Sequence, residues 1–250
     1  LGIPHVGENI FENIGTDELC PYFLVSQTWK VLAETVLLKR WKSKFFMACS
    51  LGKTNIVKLL LEHCEDIGLS ARVTSLMQAC AKGHKDIVKL LLDNSDRNID
   101  ELNAITDKGV TAFMLACRNG HKDVVNLLLY NSDRNVDLNA RTEGFLWACH
   151  NGHKDVVKLF LDNSDRNIYL NARANHGTTA FIFACYNGHK DVVKLLMDNS
   201  DENIDMNATN NRGMTAFMWA CHNRQKDVVK LLLKYSEIIN FDTTGLEDLS

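Results

Sequence analysis

Six copies of one string govern what this chain can fold into. They are ACSLGKTNIVKLLL from Ala48, ACAKGHKDIVKLLL from Ala79, ACRNGHKDVVNLLL from Ala116, ACHNGHKDVVKLFL from Ala148, ACYNGHKDVVKLLM from Ala184 and ACHNRQKDVVKLLL from Ala220. Successive alanines are 31, 37, 32, 36 and 36 residues apart. A period of that size marks a stack of small units, each unable to bury its own apolar face and each covered by its neighbours. Taken alone, Cys117, His121 and Asp123 could be a nucleophile, a base and an acid, or three metal ligands. Placed at equivalent points along a stack they are neither. Equivalent atoms of neighbouring units lie roughly 8–10 Å apart, whereas ligands of one zinc each lie about 2 Å from it. A disulfide needs Cα atoms within about 7 Å. His84, His121, His153 and His189 therefore read as helix-boundary residues bonding to backbone in the adjacent loop. Cys49, Cys80, Cys117, Cys149, Cys185 and Cys221 read as small buried apolar groups. In the last copy Arg224-Gln225 replaces Gly-His, so the histidine is expected to be dispensable there.

Residues 102–138 show one unit in full. Asp107-Lys108-Gly109 is a turn signal, and Thr111 is a suitable N-cap for a short helix over AFMLAC. Asn119-Gly120 ends that helix, the glycine being free to turn left-handed. A second helix starts near His121-Lys122-Asp123, with the acid in its positive first turn. Val124, Val125, Leu127, Leu128 and Leu129 cover most of its circumference, so neighbouring units must bury it. A turn followed by two short helices resembles the ankyrin repeat, whose pattern is G-x-T-P-L-H-x-A, then G-H, then V-V-x-L-L-L. The segments G-V-T-A-F-M-L-A (109–116), G-T-T-A-F-I-F-A (177–184) and G-M-T-A-F-M-W-A (213–220) carry the resemblance. Alanine stands for the proline, phenylalanine for the leucine, and Met or Ile for the histidine. The last change removes the usual partner of the cap threonine. The resemblance implies an all-α solenoid, an ankyrin-repeat stack with short β-turn fingers, over residues 43–240.

The period exceeds the usual one because the connection NSDRNIDLNA is longer. It recurs at 94–104, 131–140, 163–172 and 199–208 and is expected to form an outer loop. From L-N-A to the cysteine takes 13 residues in repeats 3, 5 and 6 but nine in repeat 4 (Arg141 to Cys149) and nine in repeat 2 (Arg72 to Cys80). Those two repeats are expected to lack a finger.

Composition narrows the function classes. The formal charge of −3 leaves no basic field for nucleic acid. No apolar run reaches the roughly 18–20 residues of a membrane span. LGIPHVGENIFENIG has neither the basic head nor the apolar core of a signal peptide. With no phosphate loop, nucleophile elbow or metal-ligand spacing, the chain is expected to be no enzyme and to need no cofactor or metal. Free cysteines point to a reducing compartment, cytoplasmic or nuclear.

Residues 1–42 lack the repeat. Val6, Ile10, Phe11 and Ile14 fall on one helical face, Thr16 precedes Asp17-Glu18-Leu19, and Val25, Trp29 and Leu32 follow at helical spacing. This small three-helix pattern resembles an F-box. The matching places are Ile3-Pro4, Ile10-Phe11, Asp17-Glu18-Leu19, Val25 with Trp29, and Leu38 with Trp41. The resemblance implies docking on the Skp adaptor of a cullin-RING ubiquitin ligase, with Ile3, Pro4, Val6, Ile10, Leu19, Val25 and Trp29 as contacts. A plain helical cap for the first repeat, in a scaffold without a ligase role, would account for the apolar faces but not for the whole spacing.

An ankyrin stack implies a protein target, held at the finger tips and the ends of the first helices. After Ala-Cys the residue varies: Ser50, Ala81, Arg118, His150, Tyr186 and His222. The finger tips carry Asp107-Lys108, Asn175-His176 and Asn211-Arg212. Asp107, Lys108, Arg118, His150, His176, Tyr186, Arg212 and His222 are the target-binding candidates, and repeats 4 to 6 are expected to form the strongest continuous surface. The helix KDVVKLLLKYS (226–236) is as apolar as the internal ones, and residues 241–250 begin to repeat the finger turn. A further repeat or a tail is expected there.

Overall fold

A computed structural model describes residues 45–63, 67–94, 101–130, 135–162, 170–199, 204–235, 239 and 241. The F-box-like segment, with Ile3, Pro4, Val6, Ile10, Leu19, Val25 and Trp29, lies outside them. The described residues are helical. Among the described residues there are twelve α-helices and no strand, the one β-bridge being Thr209 with Thr215. None of these helices is long and apolar enough to cross a membrane.

The chain divides into two compact units, Leu1–Ala79 with His84–Glu101, and Cys80–Gly83 with Leu102–Ser250. The helices that open the chain's described part are α1 (Phe45–Ser50), α2 (Thr54–His63), α3 (Leu69–Lys82) and α4 (Lys85–Asp93). In the first unit α2 packs on α1 and α4, burying Val57, Leu60, Ile87, Val88 and Leu91. The Arg72 guanidinium closes this unit. Its Nε donates to Glu101 Oε1 at 2.8 Å, and Nη2 to the carbonyls of Leu91 and Asn94 at 3.3 and 2.9 Å. Glu101 is buried, and its pairing with a multiply bonded guanidinium offsets part of the desolvation cost.

The second unit holds four full repeats. Their first helices are α5 (Ala112–Arg118), α7 (Leu138–His150), α9 (Ala180–Tyr186) and α11 (Ala216–His222). Their second helices are α6 (Lys122–Leu129), α8 (Lys154–Leu161), α10 (Lys190–Asp198) and α12 (Lys226–Leu233). First helices pack on first helices and second on second, giving two layers. The apolar run of each second helix explains the layering: Val124, Val125, Leu128 and Leu129 are all buried, each such burial being worth about 1.5–3 kcal/mol. Phe160 ties the layers together, its ring edge-on to Phe113 at 6.0 Å and to Phe145 at 5.5 Å.

Local chemistry sets the helix starts. Thr111, Thr179 and Thr215 accept the amides of Met114, Ile182 and Met218. Where the family histidine is lost, methionine sulfur takes over in two repeats. Thr111 N–H donates to Met114 Sδ at 3.5 Å, and Thr215 N–H to Met218 Sδ at 3.4 Å. Three fingers form where the sequence places them. Thr106 N–H bonds Val110 O, Ala174 N–H bonds Thr178 O, and Asn210 N–H bonds Met214 O, at 3.0, 2.9 and 3.0 Å.

Repeats 2 and 4 have no finger, as expected, but the reading of L-N-A as outer loop fails in repeat 4. Leu138-Asn139-Ala140 is the first turn of α7, a 13-residue helix capped by Asp137, whose Oδ1 accepts from Asn139 and Ala140. In repeat 2 the whole stretch from Leu69 is likewise helix, α3 running 14 residues. With only nine residues before the cysteine there is no room to turn out and back, and helix is the conformation that satisfies the backbone. Gly144 lets the long α7 lie close, since a Cβ there would stand 2.9 Å from Cys117 Sγ and from Phe113 Cε1.

Candidate protein-binding surface

The histidines bond to backbone, at a specific point. His121 Nε2 donates to Ala81 O at 2.9 Å, His153 to Arg118 O at 2.8 Å and His189 to His150 O at 2.8 Å. Within the first unit His84 does the same to Ser50 O at 3.0 Å. Each acceptor is the variable residue after Ala-Cys. A second donor reaches the same carbonyl in three repeats. Asn151, Asn187 and Asn223 Nδ2 bond Arg118, His150 and Tyr186 O at 2.9, 3.1 and 2.9 Å. The glycine two residues after the acceptor makes room for the ring from the next repeat: Gly120 has φ 76°, and a Cβ there would overlap the His153 ring. The N-G-H motif thus fixes the backbone of the preceding repeat's variable residue, whatever side chain that residue carries. Gln225 corrects the expectation that the last copy dispenses with this contact, because its Nε2 donates to Tyr186 O at 3.1 Å. An amide replaces the imidazole with the bond kept.

The candidate side chains stand on this scaffold as follows. Arg118, Tyr186 and His222 are exposed and His150 is half-buried. They do not form a direct line of adjacent rings. Residues from the middle of the first helices come between them: Trp147, Phe183 and Trp219. The Arg118 guanidinium carbon sits 4.9 Å from the centre of the Trp147 ring. His150 is edge-on to Trp147 at 5.6 Å and to Phe183 at 5.1 Å. Trp219 meets Tyr186 at 5.2 Å and His222 at 5.6 Å. Edge-to-face aromatic pairs of this kind are worth about 0.5–1.5 kcal/mol each. The result is a stripe of rings over repeats 4 to 6 that is half-covered and rigid.

Trp147, Phe183 and Trp219 are not among the residues that variation after Ala-Cys points to. Their signal lies two places before the cysteine, where the chain reads Met47, Gln78, Leu115, Trp147, Phe183 and Trp219. That position also varies, and in helix it lies one turn from the other.

Of the finger-tip candidates, Asp107, Lys108, His176 and Arg212 are all exposed. One is drawn into a shared feature. A groove of about 420 Å³ lies between α7 and the finger of repeat 5, lined among others by Glu143, Trp147, His150, Asn175, His176 and Phe183. It exists because repeat 4 lacks a finger and leaves the flank of α7 open beside the next one. His176 holds a left-handed backbone, φ 64° and ψ 17°, uncommon for a side chain of this size. Asp107 and Lys108 stand on the repeat 3 finger and Arg212 on the repeat 6 finger, none of them lining the groove.

No catalytic or metal arrangement emerges among the described residues. They hold no group of three or more His, Cys, Asp or Glu side chains suited to a metal. The six cysteines are free. Burial pushes the Cys49 thiol up to about 12 and holds those of Cys80, Cys117, Cys149 and Cys185 well above their usual value, the opposite of an activated nucleophile.

A family model described as ankyrin repeats in three copies matches residues 44–142 and 145–245. A comparison with curated proteins found no match. The two matched stretches span most of the sequence, with the Gly-His rungs, the threonine caps and the paired helices falling inside them, so the chain belongs to the ankyrin-repeat family.

Proposed function

We propose that this chain is the substrate-recognition subunit of a Skp-cullin-F-box ubiquitin ligase, holding a target protein on its repeats while residues 1–42 dock on the Skp-type adaptor. Ankyrin repeats imply binding to some protein partner. What supports a target on repeats 4 to 6 is the ring stripe on a backbone pinned by the Asn and His rungs. Such preorganised aromatic side chains bind with little further loss of rotamer freedom. The adaptor half rests on the order and spacing of Ile3-Pro4, Ile10-Phe11, Asp17-Glu18-Leu19, Val25 with Trp29, and Leu38 with Trp41. The chain itself would make and break no bonds. Tethering would raise the effective concentration of target lysines at the ubiquitin-charged enzyme. Such a receptor would work in the reducing cytoplasm or nucleus, in keeping with its free thiols.

Capture of a purified Skp-type adaptor tests the adaptor half. The full chain should retain it. Trp29→Ala should abolish retention, the loss expected where a tryptophan anchors an interface. Pro4→Ala should weaken it while leaving the melting of the repeats unchanged. Retention by a chain starting at Lys42 would leave the alternative, an ankyrin scaffold with a helical cap and no ligase role.

A further inference from the structure

The groove between α7 and the repeat 5 finger carries a chemistry that the stripe as a whole does not. Glu143 lines it, half-buried, and among the described residues it makes no hydrogen bond or ion pair. A carboxylate with no partner in the described chain can take a guanidinium in a bidentate, charge-assisted pair. The other walls are aromatic. Trp147 and Phe183 lie on the same groove, with His150 edge-on to both. Ring faces attract cations, and a planar guanidinium more than an ammonium because it also stacks. The chain already displays this preference. Arg118 places its guanidinium 4.9 Å from the Trp147 ring centre, and Arg118 does not itself line the groove. The floor and rim are fixed in place. His189 and Asn187 both bond the His150 carbonyl, and the His176 carbonyl accepts Asn211 N–H at 2.9 Å. A volume of about 420 Å³ accommodates one long side chain and part of its neighbours.

We propose that this groove is the anchor pocket for an arginine of an extended target segment. Glu143 pairs with the guanidinium, Trp147 and Phe183 flank it, and the turn at Asn175-His176 closes the rim over the target backbone. The proposal rests on the reading that the repeats bind protein, and adds the chemical class of residue that is read.

Selection of a random dodecapeptide phage library on the full chain tests it. The expected outcome is a set of enriched peptides sharing an arginine at one place. A synthetic peptide of the winning sequence should lose about tenfold or more in affinity when that arginine becomes citrulline, a neutral side chain of the same shape. Glu143→Gln, a nearly isosteric change on an open flank, should cause an equal loss and make the citrulline substitution nearly neutral, with the urea midpoint of the protein unchanged. Enriched peptides with lysine or no cation at the shared place would overturn the proposal, as would full affinity in Glu143→Gln, or no enrichment at all. Peptides or targets that bind regardless of Glu143 but are lost on Tyr186→Ala would overturn the arginine pocket while leaving protein binding by the repeats intact.

Discussion

A cysteine repeated six times could be read as reactive, and its surroundings decide otherwise. Cys80, Cys117, Cys149 and Cys185 are fully buried beside an equally buried alanine. Burial disfavours the thiolate, so each thiol gives up its proton at a higher pH in the folded chain than when exposed. Cys221 differs in being partly exposed, although burial raises its thiol too. Iodoacetamide at pH 8 should therefore modify Cys221 first among the six and leave the five buried ones, Cys49 included, intact, as read by peptide mass spectrometry. Uniform modification would contradict the burial. The same shift ties stability to pH. A folded thiol pKa raised above the unfolded value means full stability below about pH 9, then a decline as the unfolded chain sheds protons that the folded one keeps. For Cys49 the decline runs from 9.0 towards 12. The urea midpoint should fall between pH 8 and pH 10.5, and a constant midpoint would argue against buried thiols.

Between helices, the N-G-H rung joins one repeat to the next, and its last copy shows what each part contributes. Glycine supplies the left-handed turn, and the donor that directly follows it reaches back to the previous repeat's first-helix end. Repeat 6 keeps the donor as Gln225 but puts Arg224 where glycine belongs, at φ 56°. A non-glycine residue in that conformation costs roughly 1–2 kcal/mol. Arg224→Gly should then raise stability by about 1 kcal/mol in urea titration, and Gly120→Ala should lower it by more, since a Cβ also meets the His153 ring. Unchanged stability in both would show that the rung carries no strain. The elements also mark where sequence stops being legible. Asp107-Lys108-Gly109, Asn175-His176-Gly177 and Asn211-Arg212-Gly213 signal their fingers locally, and the caps at Thr111, Thr179 and Thr215 do the same. Leu138-Asn139-Ala140 reads like the tripeptides that end a loop elsewhere, yet becomes helix. The residues that decide it lie downstream, in the shortened run to Cys149. Asn103 shows that the tripeptide has a role of its own. Its side chain bonds Asn135 O and Asp137 N–H of the next repeat, both at 2.9 Å.

For the molecule as a whole, periodicity alone disclosed the fold of the repeats, because each rung reuses one set of side chains for one set of contacts. The candidate surface was legible only in part, for the converse reason. Arg118, His150, Tyr186 and His222 stand out against identical neighbours, but Trp147, Phe183 and Trp219 reach the surface from inside a helix pattern that looks like core. The groove depends on a finger missing from one repeat and present in the next, a juxtaposition that no single repeat records. The proposed function places a partner protein on the ring stripe of repeats 4 to 6. The most direct measurement is the affinity of a purified, co-isolated target for four forms of the full chain: wild type, Tyr186→Ala, Trp219→Ala and Lys194→Ala. Tyr186 is 39% exposed and backed by Trp219, whereas Lys194 is exposed on the second-helix layer. Tyr186→Ala and Trp219→Ala should each cost more than about 1 kcal/mol, roughly fivefold in Kd, with Lys194→Ala unchanged and adaptor capture intact in all four. Equal affinities across the four, or a loss confined to Lys194→Ala, would place the partner on a different face and contradict the account.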